Sequence, residues 1–458
     1  MNYLKEDTIA ALSTAAGRSA IAVIRLSGKN SFKIINRIFQ TNSKSNQQVK
    51  HGYILDKTEK KDEVICIFFK NPYTYTGEDL VEIMVHGNPV IIDIVLQLLY
   101  KNGARPAEPG EFTYRAFLNG KMDLTKAEAV CALITSKTKM STKTALNNIS
   151  GEFSSQIKNI NNILTNLVAF IEVNLDYPDE DILPLSQNEK ISKINFCIEN
   201  VQNFLKSYEI SKTLHQGIKV TIIGKPNTGK SSLLNAILNK NRAIVTDIAG
   251  TTTDTIEETI EWQGISITIV DTAGIKYHTK NLIELLGQER TKKAAIKTDI
   301  LIWLFDNSSK LDKNDIEIAN FLMKSNINIP VIGTLNKCDI KSNLFLENNF
   351  PLNFTFVDFV KISAKTKTGI FNLLNTIIKI SVSENYENNN IMINTRHFML
   401  LQNTFKSLIN AKKALSEQFD EIACFEITVA QTSLNEILGI NIKQDILDTI
   451  FSTFCIGK

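Results

Sequence analysis

The sequence predicts a multidomain α+β protein, with an α+β domain at residues 1–121 and an all-α domain in two parts, 122–216 and 382–458. Between those parts an α/β domain is inserted at 217–381. Three observations predict this. At 458 residues the chain is long enough for about three domains, and a single core this size would be unusual. Near Asp123 short β-type runs give way to a long helical recurrence of apolar residues. From 217 to 381 buried-strand runs alternate with helical stretches, which implies a mainly parallel sheet covered on both faces.

The first domain mixes strands and turns. AIAVIRLSG at 20–28 and EVICIFFK at 63–70 read as strands, and NPYTYTGED after the second is rich in turn formers. VIIDIVLQLLYKNG at 90–103 reads as a helix closed by Gly103. The helical texture then begins, and Thr125 with Glu128 three residues on suggests a capping box. An Asn-rich stretch at 383–394 reads as a loop before the last helical block.

Composition narrows the function. A net charge of +3 is too small to imply a nucleic-acid or membrane partner by itself. Six cysteines without CxxC or ligand-like spacing exclude a disulfide framework and a zinc site. No apolar run reaches the ~18 residues of a membrane helix, and the first residues do not read as a targeting peptide. A soluble, cytoplasmic protein is expected, with no membrane partner.

The inserted domain carries the chemistry. GKPNTGKSS at 224–232 fits the phosphate-loop pattern directly after a strand. Small residues there let the backbone N–H groups of Asn227, Thr228, Gly229, Ser231 and Ser232 approach phosphate oxygens. Lys230 would neutralise the β- and γ-phosphates, and the Ser231 hydroxyl would ligate Mg2+. DTAG (Asp271, Thr272, Ala273, Gly274) ends the next strand, where the acid holds magnesium through water and the Gly274 N–H meets the γ-phosphate. NKCD places Asn336, Lys337 and Asp339 after a third strand, and SAK follows as Ser363, Ala364 and Lys365. Asp339 accepts from guanine N1–H and the exocyclic amine together. Adenine lacks both donors and would leave the carboxylate unpaired. The nucleotide is GTP, and the domain is a Ras-like P-loop G domain.

TDIAGTTTD at 246–254 lies where a switch loop is expected, with Thr246, Asp247, Ile248, Ala249 and Gly250 lining the nucleotide. A threonine hydroxyl there should complete the magnesium shell, and the residues alone do not choose among Thr251, Thr252 and Thr253. Signalling GTPases carry a glutamine after DTAG, whereas this chain has Ile275, which cannot orient water.

Beyond these motifs the chain resembles the MnmE (TrmE) family of tRNA-modification GTPases. The resemblance rests on GRSAIAVIRLSG, YTGEDLVEIMVHGNP, PGEFTYRAFLNGKMDLTKAEAV, YPDED at 177–181 and the terminal FCIGK, and so spans all three blocks. It implies an N-terminal domain that binds a folate, either 5-formyltetrahydrofolate or methylene-tetrahydrofolate, and that forms a homodimer. It implies a heterotetramer with an FAD-dependent MnmG-family flavoprotein, acting on C5 of the wobble uridine of certain tRNAs in the bacterial cytoplasm. Arg25, Glu82, Lys121 and Lys458 match the folate-contacting residues, and Cys455 matches a thiol important for modification. For the missing glutamine the family offers K+ held by Asn227, Thr246, Ile248 and Thr251, with Mg2+ on Ser231 and Thr252. Glu284 matches its water-positioning glutamate.

Two positions depart from the family pattern. Thr253 stands where the family often has arginine, and Asn88 replaces the second glycine of HGG. Two rivals remain. A ribosome-assembly GTPase would carry a basic RNA-binding domain in place of the N-terminal block and FCIGK. A GTP-gated scaffold would dimerise with little hydrolysis.

Overall fold

The computed structural model describes residues 7–44, 47–176, 185–238, 257–271, 298–324, 329–342, 355–382 and 390–458. These fall into two compact units. One comprises Met1–Ile134, Asn147–Val201 and Met399–Lys458, the other Thr135–Leu146 and Gln202–Phe398.

The first unit opens with β1 (Ile9–Leu12), β2 (Ser19–Ser27), α1 (Ser31–Ile38) and β3 (Phe39–Thr41). There follow β4 (Val49–Asp56), β5 (Glu59–Phe69), β6 (Leu80–Gly87), α2 (Pro89–Lys101), β7 (Arg105–Pro106) and α3 (Glu111–Leu118). The seven strands form one sheet in the order β3-β4-β5-β6-β2-β1-β7. All neighbours run antiparallel except β1 and β7.

Strand alternation separates the two faces. Ala22, Ile24 and Leu26 of β2 and Val81, Ile83 and Val85 of β6 are buried in one core with Val95 and Leu99 of α2. Burying each Val, Leu or Ile side chain here stabilises by ~1.5–3 kcal/mol. The opposite face presents Ile21, Arg25, Glu82, Met84, His86 and Ile65, with Arg25 paired to Glu82 in register.

Two helix caps were not read from the sequence. Asn88 has extended backbone (φ −109°, ψ 123°), and its Oδ1 accepts from Val90 N at 2.9 Å. Replacing glycine there supplies a helix cap and demands no left-handed geometry. At the helical texture's start the cap is Asp123, whose Oδ1 accepts from Lys126 N at 3.1 Å and from Thr125 Oγ1 at 2.6 Å. Thr125 lies inside the helix, so the Thr125–Glu128 box does not form.

That helix is α4 (Leu124–Thr135), followed by α5 (Lys139–Ser150), α6 (Glu152–Asp176) and α7 (Gln187–Gln216). In α6, Phe153, Ile157, Ile160, Leu164, Leu167 and Ile171 are all buried, a three-four spacing that makes one apolar stripe. Late in the chain, beyond the described helices of the second unit, come α11 (Thr395–Ser416), α12 (Asp420–Leu438) and α13 (Gln444–Ser452). α12 packs along α6 and buries Ile427, Leu434 and Ile437. Polar ties join the two parts: Asn161 Nδ2 donates to Asn435 Oδ1 at 3.1 Å, and Lys190 Nζ lies 2.5 Å from Asp420 Oδ2.

The second unit holds a six-stranded sheet in the order β13-β12-β11-β8-β10-β9. Its strands are β8 (Ile218–Ile223), β9 (Glu257–Trp262), β10 (Ile265–Asp271), β11 (Ile300–Asp306), β12 (Val331–Asn336) and β13 (Asp358–Lys361). Only the β9–β10 hairpin is antiparallel, and it turns through Gln263 (φ 49°) and Gly264 (φ 79°). That pair of positive φ angles matches the strand twist. Helices α8 (Lys230–Leu238) and α10 (Ile370–Ser381) bury Leu233, Ile237, Leu373 and Ile377 on one face, and α9 (Lys313–Lys324) buries Ile318 and Leu322 on the other. Coverage of both faces explains the uniformly buried run Leu301–Phe305 in β11, including Trp303 at 0% exposure.

Candidate functional site

Parallel strands send their carboxyl ends to one edge of the sheet, and the second unit gathers its motifs there. β8 runs into the phosphate loop and α8 leaves it at Lys230. Gly229 takes φ 94°, and a Cβ on it would lie 2.4 Å from Asn336 Nδ2, so only glycine fits. Asn227 also has positive φ, at 65°, and its side chain is exposed. Ser231 lies exposed in the first turn of α8. Asp271 ends β10 and pairs with Ile222 of β8, so DTAG begins next to the strand that leads into the phosphate loop.

Lys230 is 7% exposed and donates from Nζ to the carbonyls of Gly224 at 2.8 Å and Lys225 at 2.9 Å. Its ammonium is held within the loop, a short side-chain rotation from where phosphate oxygens would enter.

The base motif is tied to the same loop. Asn336 Nδ2 donates to the Thr228 carbonyl at 2.7 Å, while its Oδ1 accepts from Lys337 N at 2.8 Å and Ala364 N at 3.0 Å. One buried amide thus joins the phosphate loop, NKCD and SAK. Lys337 (φ 65°) reaches back with Nζ to the Asn227 carbonyl at 3.2 Å and to Asp306 Oδ2 at 2.6 Å. Burial pushes the Asp306 carboxyl up, but hydrogen bonds from Lys337 and Ser308 outweigh it and hold the group below its usual value. Asp339 accepts from Ser363, which lowers its carboxyl, and Lys365 is exposed beside it.

The sequence reading gave no role to Asp306 or Lys225. Asp306 was legible as an acid closing the buried run DILIWLFD; Lys225 sits at an unspecified position of the loop pattern. The switch positions 246–253, the remainder of DTAG at 272–274, Ile275, Glu284 and the YPDED segment lie outside the described residues.

A second cluster sits on the open face of the seven-stranded sheet. Arg25 donates from Nη2 and Nε to the same Glu82 oxygen, Oε1, at 2.7 and 3.1 Å. Glu82 Oε2 takes no hydrogen bond among the described residues. The guanidinium lies 5.2 Å from the Tyr75 ring centroid and 5.6 Å from that of Phe112, which desolvates it partly and favours a cation–π contact. The Gly457 carbonyl accepts from Arg25 Nη1 at 3.5 Å and from Ser13 Oγ at 3.0 Å. The FCIGK segment therefore reaches the Arg25–Glu82 pair. Lys121 donates to the Pro72 carbonyl at 2.9 Å, in the loop that carries Tyr75. Lys458 contributes its backbone N–H to the Cys455 carbonyl at 3.3 Å, and the Cys455 thiol is exposed. Cys131 lies close to Cys455: burial first, then this neighbour, raises the Cys131 thiol above its usual value.

Among the described residues no cluster of three His, Cys, Asp or Glu side chains could hold a metal, and no helix is long and apolar enough to cross a membrane.

Comparison with known proteins places the chain in a family. Residues 8–121 match the family model described as the GTP-binding protein TrmE N-terminus, and residues 124–455 match that of the MnmE helical domain. The chain is 67% identical over 459 residues to the tRNA modification GTPase MnmE of Endomicrobium trichonymphae, covering 100% of each. It is 40% identical over 456 residues to the protein of that name from Aquifex aeolicus, covering 99% of this chain and 100% of the relative. The Thermotoga maritima protein is 41% identical over 461 residues, with the same coverage. Matches across both units, at this identity and over the full length of each relative, leave one conclusion: the chain belongs to the MnmE (TrmE) family of tRNA modification GTPases.

Proposed function

We propose that the chain hydrolyses GTP to drive modification of C5 of the wobble uridine in tRNA, together with an FAD-dependent MnmG-family partner. The observation that carries the GTP half is the Asn336 amide, which locks phosphate loop and base motif into one frame with Asp339 held on Ser363. In that frame the Asp339 carboxylate meets guanine N1–H and the amine. The loop's backbone N–H groups wrap the β-phosphate. Lys230 exchanges two carbonyls for phosphate oxygens as water attacks the γ-phosphorus and the P–O bond to the β-phosphate breaks.

Two cations complete the reading. The exposed Ser231 hydroxyl would hold magnesium, and the exposed Asn227 side chain would hold potassium together with Thr246, Ile248 and Thr251. Potassium would supply the positive charge that an arginine supplies elsewhere. Glu284, acting on water, stands in for the glutamine that Ile275 replaces. Thr252 is the proposed second magnesium ligand.

The second site supports a folate reading. Glu82 has a spare carboxylate oxygen for the N–H donors of a pterin, and Arg25, Lys121 and Lys458 supply cations for its glutamate tail. The folate, 5-formyl or methylene-tetrahydrofolate, would bring the one-carbon unit. A homodimer through the open sheet face is consistent with Ile21 and Val49, exposed by 59% and 55%. Cys455, exposed two residues before the Gly457 whose carbonyl accepts from Arg25, is the proposed thiol of the modification step.

The test is nucleoside analysis of tRNA from cells lacking this chain, complemented with the wild type or with Asp339→Asn. Wild type should restore wobble-uridine modification, and the variant should not. Unchanged modification in the unrescued cells would sink the proposal.

A further inference from the structure

Lys225 occupies the second position of GKPNTGKSS, where the phosphate-loop pattern specifies nothing. Its Nζ lies 3.1 Å from Asp312 Oδ2 and 3.1 Å from Asp315 Oδ2, and its side chain is only 13% exposed. These two acids cap α9 reciprocally. Asp312 Oδ1 accepts from Asn314 N at 2.9 Å, and Asp315 Oδ2 accepts from Asp312 N at 3.1 Å. The helix start is thus already satisfied by its own acids, which also suit its dipole. A long, flexible lysine held on top of them gains the helix little and costs side-chain entropy. Its value lies at the other end of the contact, in the loop.

There the Lys225 carbonyl accepts from Lys230 Nζ at 2.9 Å and from Thr228 Oγ1 at 2.9 Å. Anchoring Lys225 therefore fixes the carbonyl on which the phosphate-binding ammonium rests. Two residues on, Lys337 ties the Asn227 carbonyl to Asp306. Both ties end on one short connection, since Asp306 closes β11 and Asp312 opens α9.

We infer that Lys225, through Asp312 and Asp315, is a positioning residue that holds the phosphate loop in its nucleotide-ready shape, and that the β11–α9 connection straps the loop from both sides. The inference rests on the reading of this loop as the GTP site. A pre-shaped loop loses less freedom when the nucleotide arrives, so the tie acts on affinity more than on the chemical step. Electrostatics agree with the geometry. Burial lowers the Lys225 ammonium's tendency to hold its proton, but the hydrogen bonds it donates to Asp312 and Asp315 outweigh it and keep the group charged.

The experiment measures GTP hydrolysis and GDP affinity of the full chain for Lys225→Ala, Lys225→Arg and the double variant D312N/D315N. The double variant keeps the helix cap, because Asn caps as well as Asp. With Lys225→Ala, KM for GTP and Kd for GDP should rise about ten-fold while kcat stays within about three-fold. Lys225→Arg should restore most of the loss, because its fork can reach both carboxylates. D312N/D315N should reproduce the alanine phenotype, and it serves alone if Lys225→Ala fails to fold. The melting temperature without nucleotide should hold, while the shift on adding GDP should shrink. Unchanged KM and Kd, or a fall in the nucleotide-free melting temperature that arginine does not rescue, would overturn the inference. Failure of the underlying GTP-site reading looks different: the wild type itself would then show no nucleotide-induced shift.

Discussion

The phosphate-loop site and the Arg25–Glu82 site differ in how the chain assembles them. The first is made of short local motifs, each at the end of its own parallel strand, and one amide stitches them together. The second is made of residues far apart: Arg25 meets Glu82 across 57 positions and Gly457 across 432. A local motif can be read because backbone geometry constrains neighbouring residues, as at Gly229, where no side chain fits. A constellation assembled by the whole fold leaves no such trace, and four separate charged residues read one at a time as solvated surface.

That contrast sets the order in which it can be broken. The largest expected effect is Lys230→Ala, which should lower GTP turnover by about 10³-fold and leave folate affinity unchanged, as read by phosphate release and calorimetry. Coupled loss of folate binding would show that the two sites are not independent. Next, Asp339→Asn should move preference from GTP toward XTP by about 10²-fold or more, because xanthine offers a carbonyl where guanine offers an amine. Competition binding with the two nucleotides reads this directly.

Arg25→Ala tests the other side. It should weaken 5-formyltetrahydrofolate binding by ~2–3 kcal/mol and leave KM for GTP within about two-fold. Gly457→Ala sharpens the comparison further. Gly457 has φ 90°, and a Cβ there would lie 2.1 Å from the Leu12 carbonyl, so the tail must shift away from Arg25. Folate affinity should fall by ~1–3 kcal/mol with no change at Arg25 itself. The smallest effect is Asn88→Ala, a lost helix cap worth ~1 kcal/mol, visible as a drop of a few degrees in melting temperature.

Legibility in the sequence followed the same division. The strands around Arg25 and Val64, the strand ending in DTAG and the helix after Asn88 were readable because period-two and three-four patterns are local. The capping role of Asn88 was not readable, since the structure is what shows that Pro89 begins the helix and that the Asn88 side chain accepts from Val90 N. The capping residue at Asp123 was missed for a similar reason: Asp123 and Thr125 lie two residues apart, and the backbone decides between them. Lys225 carried no signal at all. Its partners are 87 and 90 residues away, and a lysine in a polar loop is ordinary.

The stripe on α6 has a consequence for biosynthesis. Its partner helix α12 lies far downstream, with Asn161 and Asn435 separated by 274 residues. At roughly 5–20 residues per second on the ribosome, Phe153 to Ile171 would wait on the order of tens of seconds for that partner. Meanwhile the intervening segment, which contains every strand of the six-stranded sheet, emerges and can close on itself. During synthesis, then, the apolar stripe of α6 stays without its α12 partner until the inserted segment is complete, so docking of the two helices is a late step of folding.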